Sequence, residues 1–118
     1  MPEQTPHLNV SQENGILVAE IAEKKLLDEV TISKIGEQLS SLISQRQASK
    51  LVLDFSAVSQ MSSSALGMLI TLHKRLREQN GQLRLCCVQP AIYEVFVITR
   101  LNEIFTISQT REDALSSL

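Results

Sequence analysis

The chain has 118 residues, 43% of them hydrophobic and 20% charged, and a formal net charge of −2 at pH 7. That is the size of one compact domain with its own apolar core and too short for two, and the composition belongs to no disordered or collagen-like class. Slight acidity and scattered Lys and Arg exclude the basic footprint that direct nucleic-acid binding needs, and no apolar run approaches the roughly 20 residues that span a bilayer.

Residues 1–6 are polar, contain two prolines and read as a loose tail. Met1-Pro2-Glu3-Gln4 has neither the positive n-region nor the apolar h-region of a secretory signal, so a cytoplasmic location is expected. Leu8 and Val10 alternate with polar neighbours, Asn14-Gly15 is a two-residue turn signal, and Ile16-Leu17-Val18-Ala19 with Ile21 returns as a strand. This second strand of the β-hairpin is apolar on both sides and belongs inside a sheet with cover on both faces. Lys24 to Asp28 then link to a helix in which Ile32, Ile35, Leu39, Leu42 and Ile43 recur at spacings of three and four, with Asp28 or Thr31 as its cap. Leu51 to Phe55 is the apolar run of a buried strand. A short polar link follows, and helical spacing resumes at Leu66, Leu69, Ile70, His73 and Leu76, until Asn80-Gly81 supplies a stop. Leu83, Leu85 and Cys87 alternate with Gln82, Arg84 and Cys86 in the next strand. Pro90 fits a first helical position, and Ile92, Val95, Phe96 and Thr99 give that helix one apolar side. Ile104 to Ile107 is a brief edge strand or extended segment, and Thr110 with Asp113 resembles a weak capping box before Ala114, Leu115 and Leu118.

The order is hairpin, helix, strand, helix, strand, helix, short strand, helix. Right-handed crossovers would lay the later strands in parallel, which gives a single α/β domain over residues 7–118 with helices chiefly on one face. Cys86 and Cys87, as neighbours in a strand, are expected to point to opposite faces, unable to form a relaxed disulfide. With His7 and His73 they supply no recognisable metal-ligand set, and no metal or cofactor is expected. His73-Lys74-Arg75 with Arg77 is read as a solvated helix face, a partner-contact patch being the alternative.

A buried strand that feeds a helix places the intervening turn at the carboxyl edge of a sheet, where open α/β folds put their sites. Ser62, Ser63 and Ser64 stand there in succession. One serine suffices as an N-cap, worth about 1 kcal/mol; the others serve packing or offer a hydroxyl to a partner. Catalysis is poorly supported. His73 lies ten residues from Ser63 on one helix, roughly 15 Å away, Asp28 and Asp54 at one sheet edge make only a weak cation site, and Gly67 alone is no phosphate loop. A switch is better supported: a phosphate on this turn adds about 1.5–2 negative charges where a helix N-terminus tolerates an anion and a docked partner does not.

Leu53-Asp54-Phe55-Ser56-Ala57-Val58 and then Met61-Ser62-Ser63-Ser64-Ala65-Leu66-Gly67 resemble the signature of the STAS domain, the family of bacterial anti-sigma factor antagonists. The resemblance covers nearly the whole chain. It implies a STAS-type fold with a four- to five-stranded mixed sheet, an N-terminal β-hairpin and about four helices. It places the family's phosphorylated serine at Ser63, with Asp28, Asp54, Ser62, Ser64, Ala65 and Gly67 contacting partners. The partners it implies are an anti-sigma factor serine kinase, which binds the ATP, and a serine phosphatase; the antagonist itself has no catalytic residues. Ser62 stands where the family commonly has an acid, Ala65 where it has Gly, and Lys25 near another usual Gly. The alternative is a non-catalytic STAS scaffold subunit of a larger signalling or transport complex, with Ser63 only a helix cap.

Overall fold

Side chains alternate faces along a strand, and here the alternation divides the apolar residues between two unequal layers. A computed structural model describes residues 3, 4, 7–46 and 48–118. In chain order the elements are β1 (Glu3–Gln4), β2 (Leu8–Glu13), β3 (Ile16–Ile21), β4 (Lys25–Leu26), α1 (Glu29–Arg46), β5 (Lys50–Asp54), β6 (Gln60–Met61), α2 (Ser63–Glu78), β7 (Gln82–Cys86), α3 (Pro90–Ile98), a 3-10 turn (Leu101–Glu103), β8 (Thr106–Ser108) and α4 (Arg111–Ser116). The main sheet runs β1-β2-β3-β5-β7-β8: β1, β2 and β3 are antiparallel, and β3, β5, β7 and β8 are mutually parallel. This is the mixed α/β sheet with an N-terminal hairpin expected from the sequence, five strands of three residues or more extended at one edge by the two-residue β1.

Leu17, Ala19 and Ile21 of β3, Leu51 and Leu53 of β5, and Leu83 and Leu85 of β7 form the floor of the larger core. Ile32, Ile35, Leu39 and Ile43 of α1, Leu66, Leu69, Leu72 and Leu76 of α2, and Ile92 and Phe96 of α3 cover it. The opposite face carries Ile16, Val18, Val52 and Cys86 and is covered by Ala114 of the short α4, with Leu115 and Leu118 beside it. The helices therefore pack three to one across the sheet. Burying each of the Leu, Ile, Val and Phe side chains among these stabilises the fold by about 1.5–3 kcal/mol before the entropy of ordering is counted.

The local signals act by identifiable geometry. Asn14 and Gly15 both have positive φ, 53° and 79°, as a two-residue hairpin turn requires, and Glu13 pairs with Ile16 across it. Asn80, at φ 58°, ends α2: its N–H donates to the Arg77 carbonyl at 3.0 Å and that of Gly81 to the Leu76 carbonyl at 2.6 Å, the paired bonds of a Schellman stop. Gly81 is needed for a second reason, since a Cβ there would collide with the Ser49 backbone carbonyl. Gly36 lets α1 approach α2, where an added Cβ would lie 2.9 Å from Met68 Cγ.

Four expectations change. Of the tail read over 1–6, residues 1, 2, 5 and 6 lie outside the described residues, while Glu3–Gln4 pair with Asn9 and Val10 of β2. The links around Lys25 and Gln60 are not plain loops: β4 and β6 pair in parallel as a separate two-stranded sheet. The segment after α3 divides into the 3-10 turn and β8, with Phe105 buried between them. Finally, Cys87 leaves the strand, at φ 59°, so the strict alternation that would separate its side chain from that of Cys86 ends one residue early.

Gly81→Ala should lower the urea-unfolding free energy by about 1–3 kcal/mol, because the methyl has only backbone to displace. Gly67→Ala, in α2 with open space around its Cα, should raise it by about 0.5–1 kcal/mol; equal effects of the two variants in a urea titration would contradict this packing.

Candidate functional site

The turn between β5 and α2 is held by backbone bonds to the segment that precedes α1. Ser59 and Gln60 N–H donate to the Lys24 carbonyl at 2.8 and 3.3 Å, the Ser59 hydroxyl donates to the same carbonyl at 3.2 Å, and Ser62 N–H donates to the Leu26 carbonyl at 2.9 Å. With Lys25 opposite Gln60 and Leu26 opposite Met61, the two segments are fastened along their length. The consequence is spatial: the N-termini of α1 and α2 lie side by side, and the Ser64 hydroxyl reaches Glu29 Oε1 at 3.4 Å.

Each serine has a different position. Ser62 is the N-cap of α2, with extended backbone at φ −94° and ψ 170° and a carbonyl that accepts from Ala65 N–H at 3.1 Å. Its hydroxyl makes no capping bond; the oxygen is buried with no partner among the described residues. Ser63 is the first helical residue and is exposed, so it is not the cap. Ser64 is half-buried, Ala65 is fully buried in the main core, and Gly67 is exposed on the next turn. Ala65 therefore faces inward as a packing residue, while Ser63 faces solvent where the first free N–H groups of a helix favour an anion.

Asp28 caps α1. Its Oδ2 accepts from Thr31 N–H at 3.0 Å and from the Thr31 hydroxyl at 2.9 Å, and these bonds hold its carboxyl below the usual carboxylate range. Around it Leu27 and Val30 are large apolar side chains left 49% and 60% exposed. Behind this rim a groove of about 720 Å³ runs between α1 and α2, past Glu29, Ser33, Gly36, Ser64, Gly67 and Arg75.

Asp54 belongs elsewhere. It shares the face of β5 that carries Val52, beneath α4, whereas Asp28 caps α1 in the layer on the other face, so the two carboxylates of the carboxyl edge are not a pair. Only 4% exposed, Asp54 accepts from Ser56 N–H on Oδ1 at 2.8 Å and from Arg111 Nη2 and Nε on Oδ2 at 2.7 and 3.3 Å. Burial pushes this carboxyl up, but the Ser56 N–H and the Arg111 guanidinium outweigh it and leave it below its ordinary value. Cys86, beside it, is pushed up by burial and then by the Asp54 charge. His73 points to the far side of α2, edge-on to Phe105 with ring centroids 5.4 Å apart; burial and then Arg77 hold its imidazole below the usual range. His7 Nδ1 lies 3.5 Å from Glu23 Oε2. Neither histidine is brought to Ser63 by a hydrogen bond or ion pair. The structure thus gathers Asp28, Ser63, Ser64 and Gly67 on one surface, tucks Ser62 and Ala65 beneath it, and assigns Asp54 to the opposite face.

The sequence pattern of the STAS domain family matches residues 7–114. The chain belongs to the STAS domain family. Among curated relatives of this STAS domain, the anti-sigma F factor antagonist of Paenibacillus polymyxa is 24% identical over 111 residues, covering 94% of this chain and 93% of the relative. Among solved structures, an anti-sigma factor antagonist from Mycobacterium paratuberculosis superposes with a TM-score of 0.81 at 24% identity, over 93% of this chain and 91% of that one. The Bacillus cell fate determinant SpoIIAA, in its phosphorylated form, superposes with a TM-score of 0.72 at 21% identity, over 93% and 97% of the two chains. No helix among the described residues of this STAS domain is long and apolar enough to cross a membrane.

Glu29 and Val30 were not singled out from the sequence, although Val30 carries a readable signal: it lies off the Ile32, Ile35, Leu39 stripe of α1, so an apolar side chain there has no core to enter. Glu29 became part of the surface only through the β4–β6 pairing, which two-residue strands do not announce.

Two measurements check this description. Ser62→Ala should change the unfolding free energy by no more than about 0.5 kcal/mol, against the usual capping loss of about 1, since the hydroxyl removed has no bond to lose. Arg111→Ala should destabilise by about 1–2 kcal/mol at pH 7, a charged hydrogen bond discounted for the solvent-exposed guanidinium. Because the Asp54 carboxyl is depressed on folding, its stabilisation is complete above the unfolded value of about 3.9 and is lost as pH falls through the folded one. Arg111→Ala should therefore show a shallower loss of stability below about pH 4 than the parent chain in acid denaturation.

Proposed function

We propose that this STAS domain is an anti-sigma factor antagonist that works as a phosphorylation-switched binding module. Unphosphorylated at Ser63, it binds an anti-sigma factor serine kinase, which carries the ATP, and so releases a sigma factor; phosphate on Ser63 ends the complex, and a serine phosphatase restores it. Asp28, Ser63, Ser64 and Gly67 form the contact surface with Leu27 and Val30 as its apolar anchors. Ser62 and Ala65 shape it from below, and Asp54 acts at a distance, by fixing the end of β5 through Ser56. The chemistry belongs to the partner enzymes.

The observation that carries this reading is the exposure of Ser63 at the first position of α2, while its neighbours Ser62 and Ala65 are turned inward. A phosphate there meets helix N–H groups and solvent, and no core contact is lost. A partner seated over Leu27, Val30 and Ser63 has to bury about 1.5–2 negative charges beside Asp28 and Glu29, which repel rather than neutralise them. The family relationship to antagonists, one of which is known in a phosphorylated form, supports the same reading.

A second reading, a permanent scaffold contact in a larger signalling or transport complex, is favoured by Ser62. This residue replaces the acid that the family commonly places before the phosphorylated serine, and its buried hydroxyl offers no carboxylate to orient a kinase. One experiment separates the two: incubation with an anti-sigma serine kinase and ATP, phosphate mapping, and binding measurements on Ser63→Ala and Ser63→Asp. The switch predicts label on Ser63, thermal midpoints of both variants close to the parent, binding retained by Ser63→Ala and weakened at least about tenfold, or ~1.4 kcal/mol, by Ser63→Asp. No label together with equal binding by both variants would establish the scaffold.

A further inference from the structure

Regular strand geometry would send Cys86 and Cys87 to opposite faces. Instead Cys87, one residue beyond β7, adopts φ 59°, and Cys86 Sγ, Cys87 Sγ and an Asp54 carboxylate oxygen all lie within 4.8 Å of one another. Cys86 is buried on the α4 face with Val18, Val52 and Ala114, whereas Cys87 is half-buried and leaves the cluster a way in from solvent. None of the three side chains belongs to the surface around Ser63.

We propose that Cys86, Cys87 and Asp54 form a binding site for a thiophilic divalent cation of the zinc class. Two sulfurs and one carboxylate oxygen make a borderline-soft donor set, which suits zinc or cadmium and not magnesium or calcium. Bonds of about 2.3 Å to sulfur and about 2.0–2.2 Å to oxygen place tetrahedral donors roughly 3.5–3.8 Å apart, so the three must close by no more than about 1.3 Å. Rotation of the half-buried Cys87 side chain can supply that movement for its own two distances, a small turn of the Cys86 side chain brings its sulfur to the carboxylate, and water takes the fourth position.

The charges also balance. Without the cation the site holds the Asp54 carboxylate, the Arg111 guanidinium 2.7 Å from it and two neutral thiols. On binding, two S–H bonds break, both protons pass to solvent, two sulfur–metal bonds form and one dication enters, so the net charge is unchanged. Arg111 Nη2 and Nε on Oδ2 and Ser56 N–H on Oδ1 hold the carboxylate in a fixed orientation, and Oδ1, with a single hydrogen bond, keeps a lone pair for a metal. Because β5, β7 and the residue after β7 supply the ligands and α4 supplies Arg111, the bound cation would fasten α4 to the sheet.

The test is a titration of the reduced, metal-free full chain with cadmium. The site predicts a thiolate-to-cadmium charge-transfer absorption that saturates at about one cation per chain and is displaced by zinc. It also predicts a thermal midpoint that rises with cation concentration. Cys87→Ser, at a half-buried position that should keep the fold by circular dichroism, should lose the one-to-one saturation and about tenfold or more in affinity. Cys86→Ser should do the same. Absence of the absorption in the folded parent chain, or affinity unchanged in folded Cys87→Ser, would overturn the assignment.

Discussion

β5 is buried on both faces, and the rest of the molecule follows from keeping it so. Leu51 and Leu53 need cover on one side and Val52 on the other, so a parallel neighbour is required on each edge and helices above and below. β3 and β7 supply the edges, α1 and α2 the larger cover and α4 the smaller. Where β5 ends, the side chain of its last residue accepts the Ser56 N–H of the bend into the next segment. Asp54 is polar there, and its burial is tolerated because Ser56 and Arg111 satisfy both of its oxygens. A single carboxylate thus ties the strand end, the following loop and the small helix together.

The second consequence is a division of labour at the carboxyl edge. The loop after β5 is held by backbone bonds to Lys24 and Leu26 and by the Ser56–Asp54 contact, none of which involves the side chain of Ser63. α2 begins with an inward Ala65 that anchors its first turn in the core and an outward Ser63 that anchors nothing. Charge added at such a position is felt by whatever sits on the surface far more than by the domain beneath it. The acidic neighbours Asp28 and Glu29 heighten that difference, because they add like charge beside the position a partner would cover.

Much of this was legible in the residues, for reasons that can be named. Asn14-Gly15, Asn80-Gly81 and Pro90 act through backbone conformations that few other residues adopt, and the stripes in α1 and α2 act through burial of whole faces; such signals survive any tertiary context. The serine turn was legible because an apolar run of strand length meets helical spacing there. What stayed hidden depended on contacts distant in sequence or on one dihedral. The β4–β6 pair is too short to have a pattern of its own, and the orientation of Asp54 away from Asp28 is fixed by Arg111, 57 residues on. Cys87 departs from alternation through a single positive φ. The buried hydroxyl of Ser62 could not have been inferred, since cap residues ordinarily turn that group toward the helix.

The most direct test of the central claim, that the scaffold is indifferent to an anion at Ser63, is amide hydrogen exchange read residue by residue on the chain stoichiometrically phosphorylated there and on the unmodified chain. The account predicts altered protection only in the loop after β6, the first turn of α2 and the neighbouring start of α1, with β3, β5 and β7 unchanged. A loss of protection in the central strands on phosphorylation would contradict it, because phosphate at Ser63 would then act by loosening the fold and not by charging its surface.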